Sequence, residues 1–77
     1  MIEIFKTNVK YPVAAKQLMD ELLSKYPGFT ISFDLGDEDK ILRVEGNFFH
    51  VEDIIRALLS NDFSCVHLPY DLDSWLI

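Results

Sequence analysis

Apolar residues recur along this chain in two rhythms, and the switches between them mark six elements. Ile2–Thr7 alternates loosely, with Ile2 and Ile4 on one side and Glu3 and Phe5 on the other, as a short strand does. After a loop at residues 8–12 the spacing changes. Ala15, Leu18, Met19, Leu22, Leu23 and Tyr26 fall at i, i+3, i+4, i+7, i+8 and i+11, one stripe of a helix. Pro12 suits its first turn, where a missing N–H costs nothing, and Pro27 with Gly28 stops it. Phe29, Ile31, Phe33 and Leu35 then alternate with Thr30, Ser32 and Asp34. That is the clearest strand, one face buried and one polar. Residues 36–39 form a turn and residues 40–46 the return strand of a hairpin. Helical spacing resumes at Val51, Ile54, Ile55, Leu58 and Leu59, with Glu52 and Asp53 in the first turn, where they favour the helix dipole. Residues 63–68 make a last strand, and Pro69 ends it.

Two β-α-β halves of similar length predict an α+β fold: a ferredoxin-like β-α-β-β-α-β two-layer sandwich, with a four-stranded antiparallel sheet and two helices on one face. Residues 1–68 form this single domain, and residues 69–77 form a C-terminal tail. A chain of 77 residues buries only about 60% of the surface its unfolded form exposes. At 49% hydrophobic with six Phe, it has the material for an apolar core.

Charge narrows the partners. Thirteen acids against seven bases give a net charge of −6, which phosphate backbones repel, and the bases are spread from Lys6 to Arg56 without a patch. Nucleic acid is not an expected partner. No apolar run approaches the ~20 residues that span a bilayer, so no membrane is expected either. The N-terminus has an early acid and no apolar core of a signal peptide. The lone Cys65 excludes an internal disulfide and suits a reducing compartment. A cytoplasmic location follows as the expectation.

Element order, the stretches Asp34-Leu35 and Lys40-Ile41-Leu42-Arg43-Val44-Glu45-Gly46, the Ile54-Ile55 and Leu58-Leu59 helix and Phe63-Ser64-Cys65 together resemble the heavy-metal-associated domain family, the fold of small copper chaperones. The resemblance covers roughly residues 2–68 and implies the scaffold. In that family the loop between first strand and first helix holds Cys-x-x-Cys, whose thiolates share one soft ion. Here the loop reads Thr7-Asn8-Val9-Lys10-Tyr11-Pro12, without Cys, His or acid. No ligand carries over, and no metal or cofactor site is assigned.

Other chemistry is sparse. Cys65 and His67, two apart in a strand, share a face, but two ligands are too few for structural zinc. Cys65 is read as core packing and His67 as a strand-end residue. His50, at the start of the second helix, has no nucleophile beside it. Asp34, Asp37, Glu38 and Asp39 lack the spacing of a calcium loop and read as a solvated turn. The three glycines are isolated, so no phosphate loop exists. No catalytic residue is assigned.

A two-layer domain leaves one sheet face open. The alternation assigns to it Thr30, Ser32, Asp34, Ile41, Arg43 and Glu45 from the hairpin and Glu3, Phe5 and Thr7 from the first strand. Val66 joins them if Phe63 and Cys65 face the core. Glu3 and Arg43 are expected to pair there. The tail holds Tyr70, Leu72, Trp75, Leu76 and Ile77, too apolar to leave in water without cost. Phe5, Ile41, Val66, Tyr70, Leu72, Trp75 and Leu76 therefore form the candidate interaction surface. The tail packs over the open face, docks on a second chain as a homodimer or with a protein partner, or is left as a frayed terminus. The leading function is a non-catalytic interaction or regulatory module. The alternatives are a small-ligand-binding domain and a residual metal binder that uses Cys65 and the histidines.

Overall fold

In the computed structural model, which describes residues 1–68, the expected elements follow in the expected order. They are β1 (Ile2–Thr7), α1 (Pro12–Lys25), β2 (Thr30–Asp34), β3 (Ile41–Glu45), α2 (Val51–Leu59) and β4 (Cys65–Leu68). The sheet order is β2-β3-β1-β4, and every neighbouring pair is antiparallel. β1 and β2 thus run parallel with β3 between them, and β3 and β4 run parallel with β1 between them. Each helix is the crossover of one such split unit, and the two units interleave as in a ferredoxin-like sandwich. They run in opposite directions and cross to opposite edges, so right-handed connections bring both helices to one face.

The core lies between those layers. Phe5, Leu42 and Val44 rise from the central strands to meet Ala15, Leu18 and Leu22 of α1 and Ile54, Ala57 and Leu58 of α2. Each fully buried large side chain contributes about 1.5–3 kcal/mol. Two further core residues come from connections, Val9 before α1 and Phe49 before α2. The α2 stripe is rotated from its expected setting: Ala57 is buried, whereas Leu59 is 56% exposed.

The face of β1 is the main correction. Phe5 is fully buried and Thr7 nearly so, whereas Ile2 is exposed. Registered partners share a face, and Phe5 lies opposite Leu42, which lies opposite Phe33. Glu3, Phe5 and Thr7 therefore point toward the helices, and Ile2, Ile4 and Lys6 point to the open side. Both faces of β1 carry apolar residues, and the bulkiest one takes the core. Phe5 accordingly leaves the candidate surface.

Thr7 ties β1 to the hairpin. Its hydroxyl donates to the Lys40 carbonyl (2.6 Å) and accepts from the Val9 amide (3.2 Å), while its own amide donates to the Asp39 carbonyl. Lys40 has φ 47°, a left-handed turn residue, which is why β3 starts at Ile41 rather than at residue 40. At the other end of the sheet, Phe29 stacks on Tyr26 and tilts against Phe49, with centroids 4.7 and 5.1 Å apart. A Cβ on Gly46 would lie 2.2 Å from the Phe29 ring, so only glycine fits beneath that cluster. β4 starts two residues later than expected. The Phe63 amide instead donates to the Leu58 carbonyl in the turn after α2, and the Ser64 amide donates to Asn8 Oδ1.

Two stability outcomes follow, both measurable by urea unfolding. Thr7→Val leaves a buried amide and a carbonyl unpartnered and should cost about 1–3 kcal/mol, with Thr7→Ser well below that. Gly46→Ala must displace Phe29 and should cost about 1–3 kcal/mol, an effect that shrinks sharply in a Phe29→Ala background.

Candidate functional site

The open side of the sheet is divided lengthwise. On β2 it is polar, with Thr30, Ser32 and Asp34 all exposed. Across β3, β1 and β4 it is apolar. Ile4 lies opposite Leu68, and Lys6 lies between Val66 on one neighbour and Ile41 on the other. Val66 is 56% exposed and Ile2 40%, with Ile4, Ile41 and Leu68 half-buried. Two cations stand among them. Lys6 is 3.4 Å from Asp39 and Arg43 is 3.6 Å from Glu45. Both are exposed pairs of the kind that contribute little.

Of the residues assigned to this surface from sequence, Ile41 and Val66 stand on the open side and Phe5 does not. Tyr70, Leu72, Trp75, Leu76 and Ile77 lie outside the described residues. Ile2, Ile4 and Leu68 were not anticipated there. Side-chain volume in β1 was the available signal, since a phenylalanine fills the space between two layers better than a strand-end isoleucine.

The opposite face gathers Glu3, Cys65 and His67. Glu3 does not pair with Arg43. Its Oε2 lies 2.5 Å from His67 Nε2, and the His67 ring tilts against Phe5 with centroids 5.5 Å apart. Glu3 is thus held at the margin of the helix-covered side, where a strand-end acid still reaches a polar partner. Cys65 lies opposite Thr7 and is 8% exposed. Burial pushes its thiol up to about 11 from 9.0, which keeps it neutral and poorly nucleophilic. His50 is the N-cap of α2 without a side-chain capping bond, and its exposed ring meets Phe48 edge-on at 5.1 Å.

In the hairpin turn, Asp37 Oδ1 accepts from the Asp39 amide, and Lys40 Nζ donates to the Leu35 carbonyl. Asp37 thus uses its carboxylate within the turn, while that of Asp39 faces Lys6. Among the described residues, no three His, Cys, Asp or Glu side chains converge in a way that could hold a metal ion, and no cavity is present. Nor is any helix among them long and apolar enough to cross a membrane. No known protein family, curated protein or solved structure matches the chain.

The Cys65 thiol has a pH signature. Below about pH 9 it is protonated whether the chain is folded or not. Between about 9 and 11 the unfolded chain loses its proton first, so rising pH favours unfolding; above that window the slope vanishes. Chemical denaturation across that window should show wild type losing more stability than Cys65→Ala. Equal losses would mean that the thiol is not held neutral by burial.

Proposed function

We propose that this domain is a non-catalytic interaction module that works through the open face of its sheet. One observation carries the reading: Ile2, Ile4, Leu68 and Val66 adjoin one another on the side that the helices do not cover, with Ile41 beyond Lys6 on the same face. Isolated surface apolar residues need no explanation, whereas a contiguous strip rimmed by polar groups marks a contact surface. The rim is supplied by Thr30, Ser32, Asp34 and Glu45, and the interspersed Lys6 and Arg43 add orientation to the contact. The partner is a protein, which such a mixed apolar and charged surface suits. A cytosolic setting agrees with the single free thiol. The likeness to heavy-metal-associated domains belongs to the same reading. The β-α-β-β-α-β order supports it, and a loop of Asn8, Val9, Lys10 and Tyr11 argues for a use of that scaffold other than metal transport.

Photo-crosslinking in cells tests the proposal. A photoreactive side chain at Val66 or Ile41 should trap another protein in a discrete adduct, and one at the exposed helical position Gln17 should not. Equal yields from both faces, or no adduct from either, would overturn it.

A further inference from the structure

We infer that two copies of this chain pair through the outer edge of β2, with Ile31 and Phe33 of each exchanging backbone hydrogen bonds across a two-fold axis at Ser32. The direction of those backbone groups follows from the start of β1. The Met1 amine donates to the Gly46 carbonyl, and the Gly46 amide donates to the Met1 carbonyl, both at 3.0 Å. Mutual exchange marks a hydrogen-bonded pair, and such pairs recur at every second residue of an antiparallel ladder. In this register Glu3 with Val44 and Phe5 with Leu42 are the next bonded pairs, so Val44 and Leu42 turn their backbone groups to β1. Glu45, Arg43 and Ile41 turn theirs the other way, to Thr30, Ser32 and Asp34 of β2. The amides and carbonyls of Ile31 and Phe33 therefore point off the sheet, and no strand lies beyond them among the described residues.

A second β2 completes this edge in one register. With Ser32 opposite Ser32 of the second copy, Ile31 of each copy faces Phe33 of the other, and both pairs exchange their bonds in full. Slipping by two residues loses bonds in either direction. One slip sets Phe33 against Phe29, whose amide already donates to the Tyr26 carbonyl (3.1 Å). The other sets Ile31 against Leu35, whose carbonyl already accepts from Lys40 Nζ (2.9 Å). A slip by one residue sets Ile31 against backbone that is turned to β3. The side chains agree with the symmetric register. Ile31 meets Phe33 on the helix-covered side, an aliphatic and aromatic cross-strand pair, and Thr30 meets Asp34 on the open side, hydroxyl against carboxylate.

The surroundings of the edge suit a second copy. β2 has none of the devices that guard an exposed edge: no proline, no lysine and no bulge in its register with β3. On α1, Met19 and Leu23 are half-buried, yet neither packs against the buried core. They lie on the flank of α1 opposite Glu21, which accepts from Asn61 Nδ2 in the turn after α2. That flank looks away from α2, over the β2 edge. Side by side, two copies bring Met19, Leu23, Ile31 and Phe33 of each into one apolar seam above a continuous sheet. The net charge of −6 on each copy works against association. At the seam, however, Asp34 is the only acid of β2, and its two copies stand about 14 Å apart, beyond the Debye length of about 8 Å at physiological ionic strength. The edge is distinct from the open face, so the inference does not rest on the proposed function.

Disulfide trapping of the full chain tests the axis. In a Cys65→Ala background, Ser32→Cys would set two thiols face to face with Cα atoms about 4.5 Å apart, inside the range of about 4.4–6.8 Å that a disulfide bridges. Mild oxidation should link this variant into a dimer at least about tenfold faster than Thr30→Cys, whose two copies stand about 14 Å apart. Unoxidised wild type at about 1 mM should sediment at twice the monomer mass. Met19→Asp/Leu23→Asp, which leaves the buried core intact, should sediment as a monomer with an unchanged circular dichroism spectrum. Wild type that stays monomeric at that concentration overturns the inference. So do equal trapping rates for Ser32→Cys and Thr30→Cys, or a dimer indifferent to Met19→Asp/Leu23→Asp. Fast trapping of Val66→Cys in place of Ser32→Cys would move the contact to β4 or the open face and overturn it as well.

Discussion

Phe5 points into the space beneath the two helices, and that one orientation fixes both sides of the sheet. β1 is central, hydrogen-bonded to β3 on one side and β4 on the other, and a strand's side chains alternate strictly. Once Phe5 takes the core, Glu3 and Thr7 must share its side, and Ile2, Ile4 and Lys6 must share the other. Register passes the choice on: Leu42 and His67 join Phe5, while Ile41, Arg43 and Val66 join the open side. A one-residue slip would have put a lysine beneath the helices, so the alternative is strongly excluded.

The same constraint explains the unequal character of the two faces. On the covered side, polar groups are present only where they find partners: the Thr7 hydroxyl with the Lys40 carbonyl, and Glu3 with His67. On the open side, apolar residues remain although nothing among the described residues covers them. The β2 edge of that side is fully polar, as expected of a face that meets water. The β1 and β4 portion is not, and that contrast within a single face, rather than any reactive group, is the feature on which the functional reading depends.

Much of this was legible in the chain. Helical spacing in α1 and α2 and the alternation of β2 are long, regular signals, and they located their elements closely. β1 was found but read with its faces exchanged. Its pattern places apolar side chains on both sides, so alternation alone does not say which side meets the helices. What decided the matter was volume and a partner 64 residues away, His67, neither of which periodicity carries. Val9 and Phe49 were invisible for a related reason. They sit in connections, where no period exists, and are buried because the loop ends fold over the open ends of the layers. Ile41 and Val66 were placed on the open side because hairpin alternation and the phase of Cys65 are local properties.

The strand order also governs how the chain can assemble. β1 comes first in sequence yet occupies the middle of the sheet, and its partners lie about forty and sixty residues downstream. During synthesis it stays unpaired until β3 has emerged, and its second edge stays open until β4 follows. The β2–β3 hairpin and both helices close over short distances and carry no such delay. Loop closure must precede any contact of β1 with its neighbours, which sets the pace of folding. β1, with apolar side chains on both surfaces, is therefore the strand that waits longest for its neighbours, and nascent chains are most vulnerable to misassociation in that interval.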